Sequence, residues 1–215
     1  MMQAKNFDIF LERYKAYRDC LGQDMKDLYQ YMAQHGQSVG TMVITCADSR
    51  LDPNAIFGAK PGDLFVLRSV ANLIPPHTEQ RGRFGTAAAI QFAITVLEVS
   101  HVLIMGHSQC GGVAACMSDH GQCHDDELDY IQNWVTLGAP ARDRILSSYQ
   151  SGQVDDLEKA AEQEFVRLGM ERIKDFPFVL EAIRKKKLQV HGGWFDIKAA
   201  ELHMLDPTDN KFKTV

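Results

Sequence analysis

The stretch Thr41-Met42-Val43-Ile44-Thr45-Cys46-Ala47-Asp48-Ser49-Arg50 begins apolar and β-branched and ends on a thiol, a carboxylate and a guanidinium. A short apolar run without polar alternation is the pattern of a strand buried on both faces. Outward from it, Leu64-Phe65-Val66-Leu67 and His101-Val102-Leu103-Ile104-Met105 carry the same pattern. Leu188-Gln189-Val190-His191 predicts a fourth strand, and Glu201 to Leu205 a fifth. Between these runs the apolar positions recur at helical period: Ala89, Phe92, Ala93, Val96 and Leu97 after Gly85, then Leu157, Ala161, Phe165 and Leu168. Gly111-Gly112 opens another helix, and a further helical pattern runs from about Leu128 to Tyr149. Strands alternating with helices predict an α/β domain with a largely parallel, four- to five-stranded sheet flanked by helices.

The chain has 215 residues, 45% hydrophobic and 24% charged, which suits a globular domain with a substantial core and excludes a disordered one. No repeat or linker divides it, so one domain is expected, with residues 1–36 as an N-terminal helical arm and 37–215 as the α/β core. In the arm, Phe7, Phe10, Tyr14 and Tyr17 fall on one helical stripe, suited either to the chain's own core or to a partner subunit. Lys plus Arg total 23 against 28 acidic residues, a net charge of −5 without a basic stripe, so no nucleic-acid partner is expected. The run Arg184-Lys185-Lys186-Lys187 is expected to end a helix, where cations suit the dipole. The most apolar stretch, Ala87 to Val99, is interrupted by Gln91, Thr95 and Glu98 and is shorter than the roughly 20 residues a membrane span needs. The opening residues lack the apolar segment of a secretory signal, so a cytoplasmic protein without a membrane partner is expected.

Five cysteines, Cys20, Cys46, Cys110, Cys116 and Cys123, make an odd set that argues for reduced thiols rather than a disulfide framework. Two segments lie where predicted strands end: Cys46-Ala47-Asp48-Ser49-Arg50 and Gly106-His107-Ser108-Gln109-Cys110-Gly111-Gly112. Open α/β sheets bind ligands beyond the carboxyl ends of their strands, so the two segments can converge. Two thiolates and one imidazole form a natural Zn²⁺ set, and three protein ligands leave a fourth position open, as catalytic sites do. The bland alternative is that all three are small residues buried at strand termini. Asp48 suits either a fourth ligand or a carboxylate standing off the metal, held ionised and aimed by the planar fork of Arg50. His120-Gly121-Gln122-Cys123-His124 looks like a second cluster, but the acidic run Asp125-Asp126-Glu127 that follows reads as a solvated loop. Cys116 reads as a buried helix residue and His191 as a hydrogen-bonded structural histidine. His35 and His77 are candidate proton carriers.

C-A-D-S-R, R-S-V-A-N-L-I-P-P from Arg68 and G-H-S-Q-C-G-G together resemble the β-class carbonic anhydrases, of the plant-like and bacterial kind. The likeness runs from about Gln37 to Gly193 and extends to Asn133-Trp134-Val135, Leu137 to Pro140 and the segment His191 to Asp196. It implies reversible hydration of CO2 to bicarbonate and a proton by metal-bound hydroxide. It also implies one Zn²⁺ per chain on Cys46, His107 and Cys110, and a catalytic Asp48-Arg50 dyad. In a closed state Asp48 would become a fourth ligand. Carried over in the same way, Gln37, Phe65, Val70, Phe92 and Gly111 would line the CO2 pocket. Several such wall residues come from the neighbouring subunit in the family, so an obligate dimer or larger assembly is implied, with a homodimer as the minimal unit and a tetramer or larger one left open.

Three positions depart from the familiar pattern. Ser69 replaces a common Asn, Phe92 replaces a Tyr and removes its hydroxyl, and Val43 stands where the bicarbonate-inhibited branch has Trp. Two thiolates formally cancel the metal's charge, so the bound water should be less acidic than in a three-His site and activity should rise on the alkaline side of neutrality. Other readings are an enzyme of the same fold acting on carbonyl sulfide or carbon disulfide, a non-catalytic zinc scaffold, and a Cys110 nucleophile paired with His107.

Overall fold

A computed structural model describes residues 7–79, 84–118 and 129–215. The chain divides into two compact units, Met1–Ser38 and Val39–Val215. In the first, α1 (Asp8–Asp19) and α2 (Gln23–His35) each carry an acidic residue in the first turn and a basic one in the last, matching the helix dipole. The Tyr17 and Tyr29 hydroxyls, 3.1 Å apart, link them. Neither helix contains a buried residue, and the stripe Phe7, Phe10, Tyr14 and Tyr17 is exposed.

The second unit is built on a six-stranded sheet: β1 (Thr41–Cys46), β2 (Leu64–Ser69), β3 (His101–His107), β4 (Gln189–Asp196), β5 (Glu201–Asp206) and β6 (Lys211–Thr214). The order is β2-β1-β3-β4-β5-β6, with the first four strands parallel and the last two antiparallel. The sheet is thus larger than the four to five strands expected. β6 escapes the strand pattern because Lys-Phe-Lys-Thr is a short edge strand with charge on alternate positions. Its Phe212 lies under the Arg167 guanidinium, 5.1 Å away. β4 runs five residues past its expected end, through Gly192 and Gly193. A Cβ on Gly192 would sit 2.6 Å from Met170 Sδ, so its glycine reflects close packing, not a turn.

Helices fill the crossovers. α3 (Pro53–Phe57) is capped by Asp52, which accepts from the Asn54 amide at 3.0 Å. α4 (Gly85–Gln91) continues through a wider π turn at Phe92–Val96. α5 (Gly111–Met117), α6 (Asp129–Val135) and α7 (Ala139–Gln150) follow. α8 (Leu157–Lys174) then packs against β3 and β4, and α9 (Pro177–Arg184) ends where the basic run begins. Alternation along β1 sends Val43 to one apolar cluster, with Leu103, Met105, Cys46 and Cys110, and Met42 and Ile44 to the other, with Val102 and Ile104.

The start of α5 lies hard against the turn after β2. A Cβ on Gly112 would meet Val70 Cγ1 at 2.7 Å and Ala71 Cβ at 3.0 Å, whereas one on Gly111 would meet nothing within 4 Å. Gly112→Ala should therefore destabilise the chain by about 1–3 kcal/mol through overpacking. Gly111→Ala should stay within about 0.5 kcal/mol. Urea unfolding of both variants checks the contrast, and equal midpoints would contradict it.

Candidate metal centre

Cys46 closes β1, His107 closes β3, and Cys110 caps α5 three residues later. The parallel register sets Thr45 beside Met105, so the two strand ends lie side by side. Cys46 Sγ, Cys110 Sγ and a nitrogen of His107 all lie within 4.8 Å of one another, and all three residues are buried.

The donor chemistry fits one zinc ion. The two sulfurs are 3.8 Å apart. Two Zn–S bonds of about 2.3 Å at a tetrahedral angle span about 3.8 Å. His107 Nδ1 donates to the Ser108 carbonyl at 2.8 Å, which fixes the hydrogen on Nδ1 and leaves the lone pair on Nε2. Nε2 is buried and has no hydrogen-bond partner among the described residues, which is costly unless an ion takes it up. Burial works against protonating His107, but Cys46 and the Ser108 carbonyl outweigh it and raise its proton affinity. The sulfurs titrate as a pair. Cys46 is acidified chiefly by accepting from Cys110, while the neighbouring sulfur and burial push Cys110 upward. A dication can replace the shared proton and stabilise both thiolates.

Beside this set, Arg50 grips Asp48 with both arms of its fork, Nε to Oδ1 at 3.0 Å and Nη2 to Oδ2 at 2.7 Å, and the Arg50 amide adds a third bond at 2.9 Å. Asp48 Oδ2 is 3.9 Å from His107 Nε2. Arg50 Nη2 also donates to the Gln109 carbonyl at 2.9 Å, which ties the two strand-end segments together. Hydrogen bonds from Arg50 hold the Asp48 carboxyl far below the usual carboxylate range, and the Arg50 guanidinium becomes correspondingly less acidic.

Val70 touches the start of α5, its carbonyl accepts from Trp134 Nε1 at 2.9 Å, and Gly111 directly follows Cys110. Phe65 and Phe92 pack on each other, ring centroids 6.1 Å apart, with Phe65 against the cluster on the other side of the sheet. Gln37 belongs to the N-terminal unit and is exposed. Cys116 is buried in α5, and His191 pairs with His101 at 3.2 Å. Burial and the His101 charge lower the proton affinity of His191. His35 bonds Tyr31 O, and His77 lies against Phe176. His120, Cys123 and His124 lie outside the described residues.

Several residues that shape the centre were not singled out from the sequence. Arg68 donates to the carbonyls of Cys46 at 3.1 Å and of Asp48 and Leu51 at 2.6 Å, folding the first segment around itself. Ser108 bonds Asp196 and the Ile197 amide, anchoring the second segment to the end of β4. Glu162 reaches Cys110 from behind. Its spacing offered a signal: Phe165, Val166 and Gly169 lie three, four and seven residues on, so a glutamate shares the buried face of α8.

A two-sulfur, one-imidazole donor set at the carboxyl ends of a parallel sheet, with an arginine-held carboxylate alongside, defines a metalloenzyme-type α/β protein. The family model described as carbonic anhydrase matches residues 41–202. The chain is 33% identical over 192 residues to β carbonic anhydrase 5, chloroplastic, of Arabidopsis thaliana, covering 88% of this chain and 62% of that one. The structure of the β-carbonic anhydrase CcaA matches with a TM-score of 0.88 at 26% identity, covering 97% of this chain and 98% of that one. One of two tetrameric β-carbonic anhydrases from Sordaria macrospora matches with a TM-score of 0.79 at 28% identity, covering 93% and 96%. The chain belongs to the β-class carbonic anhydrase family. It spans 62% to 66% of the length of the curated relatives it matches.

The Asp48–Arg50 pair carries a pH signature. Because the folded-state value of Asp48 is depressed, the stability it contributes is complete above the ordinary carboxylate range and is lost as pH falls below it. Carboxyl-carbon NMR should find Asp48 ionised where an ordinary aspartate is protonated, and Arg50→Met should return its midpoint to about 4. An unchanged midpoint in that variant would contradict control by Arg50.

Proposed function

We propose that this chain reversibly hydrates CO2 to bicarbonate and a proton, with zinc held by Cys46, His107 and Cys110. The convergence of those three donors beside an arginine-held aspartate is the observation that carries the reading. Zinc, when bound there, supplies a Lewis acid that makes water nucleophilic near neutral pH. Asp48 is kept ionised by Arg50, so its free lone pairs accept a hydrogen from the attacking water and turn an oxygen lone pair toward CO2. With both oxygens engaged by the fork, Asp48 stays aimed. In a closed state it would let go of Arg50 and become a fourth ligand. Val70 and Gly111 form the near wall of the CO2 pocket.

Phe65 and Phe92 complete that wall from a partner subunit, which makes the homodimer the minimal unit and a tetramer a doubling of it. An exposed apolar stripe supports this: Phe84, Phe92 and Val96 are 42%, 41% and 61% exposed along one helix. The relatives from Sordaria macrospora are tetrameric. No helix among the described residues is long and apolar enough to cross a membrane. The buried, reduced thiols suit a cytoplasmic setting.

Stopped-flow CO2 hydration with metal analysis tests the reading. The chain should carry one zinc, and Asp48→Ala should retain it while turnover falls by roughly 10²–10⁴-fold. A zinc-loaded chain without hydration activity, or an undiminished Asp48→Ala variant, would refute it. Val96→Asp should yield zinc-loaded monomers with little turnover, measured by sedimentation and assay. Active monomers would remove the partner subunit from the site.

A further inference from the structure

Glu162 is a buried ionisable group that the proposed chemistry leaves unused. Only 2% exposed, it sits on α8 beside Ala161, Phe165 and Val166. Oε1 accepts the Cys110 amide hydrogen at 3.1 Å, and Oε2 accepts the Trp194 indole hydrogen at 3.0 Å. A carboxylate in such a place is costly unless its lone pairs are met, so both donors are integral to its presence.

The segment it holds needs holding. Gln109 is left-handed at φ 57°, an unfavourable backbone state for a residue with a side chain. Each residue of Ser108–Cys110 has its own anchor. The Ser108 amide donates to the Phe195 carbonyl at 2.9 Å, the Gln109 carbonyl accepts from Arg50, and the Cys110 amide donates to Glu162. Of these anchors, Glu162 acts on the residue whose sulfur must stay 3.8 Å from Cys46 Sγ. Releasing the Cys110 amide frees that peptide to rotate and carries the sulfur out of register.

We propose that Glu162 is a positioning residue for the metal centre, fixing the Cys110 sulfur through its backbone amide, with Trp194 aiming the carboxylate. The inference rests on the reading of Cys46, His107 and Cys110 as zinc ligands. A side chain that merely filled the core would affect folding stability and leave the metal untouched.

Zinc affinity, by competition with a chromophoric chelator, and the visible spectrum of the cobalt(II)-substituted protein test this without recourse to turnover. Glu162→Gln offers one acceptor and one donor to two N–H groups, so it should weaken zinc binding by about 10–100-fold and alter the cobalt spectrum. Adding Trp194→Phe removes the competing donor and lets the amide oxygen serve Cys110. E162Q/W194F should therefore recover most of the affinity, whereas E162L/W194F, with no acceptor, should not. The two double variants decide the matter even if E162Q alone fails to fold. Parental affinity and spectrum in folded E162Q, or equal affinities in the two double variants, would overturn the role of Glu162. A parent chain that binds no zinc would overturn the metal-site reading itself.

Discussion

Parallel pairing of β1 with β3 in one register is the constraint on which the site depends. Because Thr45 lies beside Met105, Cys46 and His107 emerge at the same end of the sheet with their donor atoms within reach. A slip of one residue would exchange the faces of every side chain along β1 and carry Cys46 away from His107. The register is held by burial: Val43 and Leu103 belong to one apolar cluster, and Ile44 and Ile104 to the other. Moving either strand would expose both sets. The metal centre thus inherits its geometry from the hydrophobic pattern of two strands.

Around the donors, the chain invests its cations and buried acceptors in backbone. Arg68 binds three carbonyls of the first segment, Arg50 joins Asp48 to the Gln109 carbonyl, and Glu162 takes the Cys110 amide. Such bonds fix peptide planes, and a fixed peptide plane fixes the Cα–Cβ direction of the cysteine it carries. The centre also gathers acidic groups: a Cys46 thiol acidified by its neighbour, an ionised Asp48 and a buried Glu162. Contact between the two sulfurs lowers the proton affinity of Cys46 and raises that of Cys110. Thiols must lose their protons to hold a dication, so metal binding and proton release are linked.

Much of this was legible in the chain. The β1 and β3 runs announce themselves because both faces are buried and the apolar pattern is unbroken. Cys46, Asp48, Arg50, His107 and Cys110 stand out because such residues follow directly on strands. β6 and the second half of β4 were not legible. Lys211 and Lys213 mask the edge strand, and Gly192-Gly193 resembles a turn until α8 is seen to press on Gly192 and the flanking strands on Gly193. Glu162 was hidden for a different reason: its partners, Cys110 and Trp194, lie far away in sequence, at the cap of α5 and on β4. Phe65 and Phe92 enter the pocket only through the family resemblance; within one chain their rings pack on each other.

The central claim is that two sulfurs and one imidazole share a single ion. X-ray absorption at the zinc edge of the purified protein tests it most directly. The account predicts two sulfur scatterers at about 2.3 Å and nitrogen or oxygen scatterers at about 2.0–2.1 Å completing a four-coordinate shell. A shell without sulfur, or one made of four sulfurs, would contradict it.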